Sequence, residues 1–485
     1  MRIFILLLLP LTILAQEYGS WSEIDSLNEY RVGHAMVLLE NGDILVSGND
    51  ISDSLNILAK SCEILSKTTK TWKPTASLNR WKYSHNMVLL NNGNVLTFGG
   101  GRENEKSCEI FDPNKEEWRL TDSMLNGRNF GGETFIKLND GRIMVIGGSH
   151  YNFDGNPMII YSECEIYDPL TEKWEIAAPL ITKREYHSAV LLNDGRVLVS
   201  GGSNKYIDHR VPKGKDLKSC EIYNPQTNSW KETDSLSVAR GGHSQVILDD
   251  GNVLLIGGTT LNDSTGSATA ENRCAVFDVA TEKWSLVGPL SKYRNSSGVF
   301  RLNDKYLIIV GGDASDSWEI YDLEKLESVY LENFGANQMI HGGNTIQMEN
   351  KNILIAGGEE WFEDGIGGLE IEPTRRCWIF DKTTNVNNVI NNLDDYKLFQ
   401  NYPNPFNPNT NIEYVITEPS EVKIIVYNIL GSHIKTLINE NKKPGNYKTV
   451  WDSKDENGIN QPSGVYLVKL ITKSYSQTIK TLLIK

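Results

Sequence analysis

The residues best equipped for chemistry recur along this 485-residue chain. Arg31, Arg80, Arg128, Arg184, Arg240 and Arg294 stand at similar intervals, and His34, His85, His187 and His243 follow close behind four of them. A guanidinium is a planar fork of donors that fits carboxylate or sulfate bidentately, and an imidazole titrates near neutral pH. Aromatic side chains collect elsewhere: Tyr151, Phe153 and Tyr161, then Tyr206, then Trp361 and Phe362. Aromatic faces beside forked cations suit an acidic or sulfated glycan, whose rings stack while arginine meets the charge. No GxSxG, HExxH, Walker or dinucleotide signature is present. Neither CxxC nor a paired His–Cys spacing occurs, so no metal site and no cofactor are expected.

The elements that must position these residues are repeats. LLNDGRVLVSGG (191–202) has counterparts at 38–49, 89–100, 137–148, 247–258, 301–312 and 347–358. In each, an apolar run meets a turn such as NDG or NG, then a second run ends at a glycine pair. Asx-Gly between β-rich runs is a strong hairpin signal, because Gly and Asn tolerate positive φ. Asn303-Asp304-Lys305 and Asn350-Lys351 lack the glycine, which weakens the signal in those two copies. A third run such as CEIYDP (164–169) follows, then a Trp opening a fourth: Trp72, Trp118, Trp174, Trp230 and Trp284. Each unit therefore reads as four antiparallel strands. The leading glycines fall at 48, 99, 147, 201, 257, 311 and 357, a mean period of about 51 residues.

The Gly pair, the Tyr/Phe-Asp and the Trp, repeated in register over 16–388, resemble the kelch family. The resemblance implies an all-β chain whose repeats form the blades of a β-propeller, which leaves no long exposed sheet edge. The seventh copy lacks a Trp strand after CWIFDKTTN (377–385), while SWSEIDSL (20–27) matches SWKETDSL (229–236) at six of eight positions. Trp21 should then begin the outer strand of the last blade and close a seven-bladed ring. Cys62, Cys108, Cys164, Cys220, Cys274 and Cys377 share one slot per repeat, which Trp318 fills in the sixth. Stacked sheets lie about 10 Å apart, beyond the roughly 7 Å a disulfide spans, so six free thiols are expected.

Because strand direction alternates, the loops after the glycine pairs share a face with those joining successive blades. The former hold 15, 17, 15 and 18 residues in repeats three, four, five and seven (149–163, 203–219, 259–273 and 359–376). Long loops on a rigid scaffold are where binding usually resides. The arginines and histidines would form a basic collar at that mouth, with Arg31, Arg128, Arg184, His187, Arg240, His243, Arg294, Tyr151, Tyr206 and Trp361 as ligand-binding candidates. Alternatively, as repeat features, they brace adjacent blades.

The ends of the chain carry a different message. MRIFILLLLPLTILAQ has one early basic residue, an apolar run and a small residue at Ala15, and reads as a secretory signal over 1–15 rather than a membrane span. A linker is expected over 389–397 and a small antiparallel, Ig-like β-sandwich over 398–485. LFQNYPNPFNPNTNIEY (398–414), VYNILG (426–431), VWDSKDENG (450–458), SGVYLVKL (463–470) and TIKTLLIK at the terminus resemble the type A C-terminal sorting domain of the type IX secretion system. That implies delivery to the cell surface or medium, with the secretion machinery as partner through 398–485. Asp455 to Gly458 reads as a hairpin turn rather than a calcium loop, since the full ligand series is missing.

The 48 basic and 62 acidic residues give a net charge of −14, which argues against sequence-independent nucleic-acid binding. The expected function is thus an exported, non-catalytic binding propeller for a protein or an acidic glycan. Two enzymatic alternatives stay open. A copper-radical oxidase resembling galactose oxidase would need two His, two Tyr and a Tyr-linked Cys. Tyr186-His187 lies in the wrong blade for it, His433 is the tail's only histidine, and no cysteine leaves the repeat slots. A mutarotase like the bacterial kelch epimerases would use Arg for a carboxylate and a Glu or His as base.

Overall fold

A computed structural model describes residues 18–382 and 397–484, apart from 51–56, 102–104, 129–133, 151–157, 205, 209–210, 214, 262–267, 313–316, 334–343, 364–368, 399–400, 402–403, 417–418, 430, 444 and 474. The chain divides into two compact units, Met1–Lys382 and Thr383–Lys485. Residues 1–15 and most of 389–397, read above as leader and linker, lie outside the described residues.

The first unit is a seven-bladed propeller. Its seven four-stranded antiparallel sheets follow the repeats, as in Ala35–Leu38, Ile44–Ser47, Cys62–Leu65 and Trp72–Thr75 for blade one. The first strands of neighbouring blades approach one another, so they line the axis and the Trp strands form the rim. Second strands such as Ile143–Ile146 and Val197–Ser200 are buried at every position. They are covered on both faces by adjacent blades, which is why they read as continuous apolar runs rather than alternating ones. One shared core holds Met144, Ile146 and Cys164 of blade three against Val197, Val199 and Tyr223 of blade four.

The rim strands are held by an aromatic pair that repeats. Tyr167 faces Trp174 at 5.2 Å between ring centroids, Tyr223 faces Trp230 at 5.1 Å, and Phe277 faces Trp284 at 5.0 Å. Trp118 meets Phe111 in the same way, whereas Trp72 lies opposite Leu65. Blade six has no Trp in this slot: Ser328 lies opposite Tyr321, and beyond a register shift Tyr330, opposite Ile320, packs on Trp318 at 5.1 Å. All six cysteines are free and buried between blades, and burial pushes most of their thiols up to about 12.

Ring closure follows the orphan segment. Ser20–Ile24 pairs antiparallel with Cys377–Asp381, setting Trp21 opposite Phe380 with centroids 5.2 Å apart. Asp25 then accepts from the Trp72 amide of blade one at 3.3 Å, a link that Asp122 to Trp174 and Asp234 to Trp284 repeat elsewhere. The two turns without glycine also form hairpins. Lys351 adopts φ 70°, the left-handed position that Gly195 holds at 87° in blade four. In the other, the Asn303 side chain accepts from the amides of Lys305 and Tyr306.

The long loops of blades three, four, five and seven carry their own two-stranded ribbons. These are Ser149–His150 with Ile159–Ile160, Tyr206–Asp208 with Val211–Lys213, Thr259–Leu261 with Ala268–Ala270, and Glu359–Glu363 with Leu369–Pro373. The second unit sets a three-stranded sheet (Lys397–Leu398, Thr410–Ile416, Gly445–Trp451) and a four-stranded one (Ser420–Asn428, His433–Lys442, Gly464–Ile471, Ser476–Leu483) around one core. Val422, Ile424 and Val426 alternate inward with period two. Phe406 of the NYPNPFNP run is buried against Trp451 and bonds the last strand through Leu482 and Ile484. Asp455 caps a turn, accepting from the Asn457 and Ile459 amides.

Trp21→Ala should remove half of the closing aromatic pair. Because Trp21 is only partly buried, the loss should sit near the low end for large aromatics, about 3 kcal/mol. Thermal or urea unfolding followed by circular dichroism checks this, and superimposable curves would show that closure does not rest on this strand.

Candidate functional site

The arginines expected at the mouth are inside the protein. Arg31, Arg128, Arg184 and Arg294 are 0% exposed and Arg240 is 2% exposed. Each lies in the loop leading into a blade and turns toward that blade. Arg184 Nη1 donates to the carbonyls of Gly201 at 2.6 Å and Ser219 at 2.9 Å, and Nη2 pairs with Glu221 at 2.5 Å. Arg31 pairs likewise with Glu63, Gly48 and Ser61, and Arg128 with Glu165, Gly147 and Glu163. Arg294 binds Glu319 and the carbonyls of Gly311 and Ser317. In blade two the slot belongs to Lys82, whose Nζ reaches the Gly99 carbonyl at 3.0 Å; Arg80 is exposed and contributes its amide to Glu109.

The basic collar is therefore corrected: Arg31, Arg128, Arg184, Arg240 and Arg294 are committed to acceptors within the fold. His187 and His243 are buried as well, as are His34 and His85. Ser200 Oγ lies 2.7 Å from His243 Nε2, and Ser47 Oγ lies 2.8 Å from His85 Nε2, each pair joining adjacent blades. Burial lowers His34 and His243 to about 3 and holds His85 and His187 well below 6.5, with the nearby cations adding to the effect. These imidazoles stay neutral and brace blades.

What the inter-blade loops present outward instead is aromatic. Tyr30 and Tyr293, each directly before a buried arginine, are 49% and 59% exposed. Tyr186, two places after Arg184, is 47% exposed and takes φ 51°. Its carbonyl accepts from Gly242, whose carbonyl accepts from Ser296, and Ser84 bonds Gly33 likewise. Residues two after the buried cation thus hydrogen-bond from blade to blade at this end of the axis. Trp81 and Tyr83 stack with 6.0 Å between centroids, and Arg375 lies over Tyr30 at 5.0 Å. Spacing could have revealed these positions. Five of the six cations stand 17 residues before the leading glycine in a loop whose next residues must face the other way.

Of the predicted aromatics, Tyr161 is half-buried with Arg128 over its ring at 5.2 Å, so it supports the core. Tyr206 and Trp361 sit on the ribbons of blades four and seven, but their side chains, like all of Tyr151, lie outside the described residues. Glu185, between Arg184 and Tyr186, is the acidic group sequence reading missed. Its backbone pairs with Ser203, its side chain is buried, and burial raises its carboxyl to about 7 against a Ser149 hydrogen bond.

A copper site of the kind considered above needs clustered donors. Among the described residues no group of three or more His, Cys, Asp or Glu comes together to hold a metal. The cysteine sulfurs lie near carbonyls two residues back, as in Cys164 to Ser162 at 3.7 Å. Among the described residues no helix is long and apolar enough to cross a membrane.

Comparison with known proteins adds the lineage. The profile of the Attractin/LZTR1 beta-propeller family matches residues 45–321. Kelch-like protein 36 of Bos taurus is 26% identical over 51% of this chain and 38% of its own length. Alpha-scruin of Limulus polyphemus is 24% identical over 60% of this chain and 31% of its own, and spermatocyte protein spe-26 of Caenorhabditis elegans is 30% identical over 37% and 31%. The chain thus spans about a third of the length of these relatives. A solved structure titled as a novel fungal alcohol oxidase of the AA5 family, in complex with copper, superposes with a TM-score of 0.56 at 13% identity over 96% of this chain and 99% of that one. At that identity the likeness is one of fold.

Glu185 makes stability depend on pH. A carboxyl whose folded pKa lies above its unfolded value contributes most at low pH, and that contribution is lost as pH rises through about 7. Glu185→Gln, which keeps the shape without the charge, should gain Tm relative to the parent between pH 5 and pH 8. A Tm difference that stays flat over this range would show that the carboxyl is not held neutral.

Proposed function

The chain belongs to the Attractin/LZTR1 family of kelch-type β-propellers, and on that premise we propose that it is an exported binding protein whose ligand docks on the face shared by the inter-blade loops and the ribbons. The supporting observation is the division of labour within those loops: the cations are consumed by the fold, and Tyr30, Tyr186 and Tyr293 are left exposed beside them. Tyrosine offers a flat apolar body with a polar tip at small entropic cost, which serves both sugar rings and protein surfaces. With the arginines internal, a glycan or protein ligand is recognised by stacking and hydrogen bonding rather than by an exposed cationic fork.

The second unit is proposed to act as the delivery signal. Its NYPNPFNP, VYNILG and SGVYLVKL segments resemble the type IX sorting domain, and residues 1–15 read as a secretory leader. Surface attachment or release would follow export. A sugar-processing enzyme is the second reading, favoured only by Glu185, a carboxyl poised near 7 beside Tyr186. It would serve there as general acid and base.

Replacing Tyr186 and Tyr293 together by Ala should weaken binding to whatever a glycan array or surface-protein panel identifies by ten-fold or more, since interface aromatics carry about 2 kcal/mol or more. The Tm should hardly move. Unchanged affinity would place the ligand elsewhere, and loss of a catalysed anomer exchange in Glu185→Gln would favour the enzyme. Deleting 398–485 should leave a folded propeller retained in the periplasm of the native host. Equal surface display of full-length and shortened protein would remove the sorting role.

A further inference from the structure

Blade five breaks the buried pairing that its neighbours keep. Where Glu63, Glu109, Glu165, Glu221 and Glu319 follow the Cys slot or its Trp318 equivalent, blade five has Ala275. Those glutamates do two things. All but Glu109 accept from the buried cation, as Glu63 and Glu221 do from Arg31 and Arg184, and all accept from amides of the incoming loop. Glu221 takes the Ile181 and Thr182 amides at 2.7 and 3.1 Å, and Glu165 takes those of Leu125 and Asn126. The matching amides in blade five belong to Ser237 and Val238, and among the described residues neither donates a hydrogen bond.

Arg240 nevertheless holds its place. Its Nη1 donates to the carbonyls of Gly257 at 2.7 Å and Arg273 at 2.8 Å, as in the other blades. Its Nε is buried and has no partner among the described residues, and the residue is 2% exposed. Burial lowers the guanidinium from its usual range, and Arg273 adds to that while Glu271 opposes it. Glu271 itself is taken up by Arg273 at 2.7 and 2.8 Å. A buried cation with an orphaned donor is costly to leave unmatched.

We propose that blade five binds a small carboxylate in the slot its missing glutamate vacates, met by Arg240 and the amides of Ser237 and Val238. Acetate has the required shape: its methyl stands for Cγ and its carboxylate for that of glutamate, with Ala275 supplying Cβ. Ala275 is buried, but it pairs with Leu286 on the rim strand, which is exposed, so the slot lies close to the outer surface of the blade. The site is independent of the tyrosines on the loops.

The test uses the full chain and sodium acetate against sodium chloride at equal ionic strength. The parent should show a saturable, acetate-specific rise in Tm. Ala275→Glu should fold with a higher Tm in chloride and lose the acetate increment. Should A275E fail to fold, Ala275→Leu, which plugs the slot without charge, should also abolish the increment, and saturation-transfer NMR should show acetate contact in the parent alone. An acetate response of equal size in the plugged variants, or none in the parent, overturns the site.

Discussion

One buried cation per blade holds this propeller together, in blades one to six, by acting at two ends. The side chain of Arg184 is bound within its own blade by the Gly201 carbonyl and Glu221. Its main-chain carbonyl accepts from Gly148 of the blade before, at 2.9 Å. The same carbonyl link joins Gly202 to Arg240, Gly258 to Arg294 and Gly358 to Arg31, the last across the closure. This link also explains the leading glycine. A Cβ on Gly201 would stand 2.5 Å from the Arg240 carbonyl, and φ there is +55°. Close approach and backbone hand both exclude a side chain.

Taking a guanidinium out of water costs several kcal/mol, recovered only when every donor finds an acceptor in good geometry. Blade two shows which acceptors matter most. Lys82 has no fork, yet it reaches the Gly99 and Ser107 carbonyls. The two-carbonyl cradle is thus the constant part of the device, and the glutamate serves chiefly to gather loop amides. Fixing one residue of the loop inward forces its neighbours outward, and this is how a structural requirement leaves Tyr30, Tyr186 and Tyr293 on the surface. Packing and recognition are set by the same short segment.

Much of the fold was legible from spacing. The glycine pairs located the second strands, the Tyr/Phe and Trp located the rim, and the match between 20–27 and 229–236 located the closing strand. Repetition could not say which way a long side chain points. Arginine at a recurrent loop position fits a ligand collar or an internal staple equally well on sequence alone. The deciding clue is the glutamate after four of the six cysteines, Glu63, Glu109, Glu165 and Glu221, an acidic residue in an otherwise buried strand that needs a cation nearby. Arg80 has the residue type of the ring without its offset, while Lys82 keeps the interval of 17 to Gly99.

The closing strand has a consequence for the order of assembly. Glu23 meets Arg376 across a separation of 353 residues, so the propeller's first strand waits for nearly its last. Joining ends this far apart costs loop-closure entropy that local hairpins do not, and contacts of such range slow folding. Until then the third strand of blade seven is an unpaired edge, open to any extended segment nearby. Six blades can form from contiguous sequence, whereas the seventh is a lock that registers whether the whole propeller has arrived.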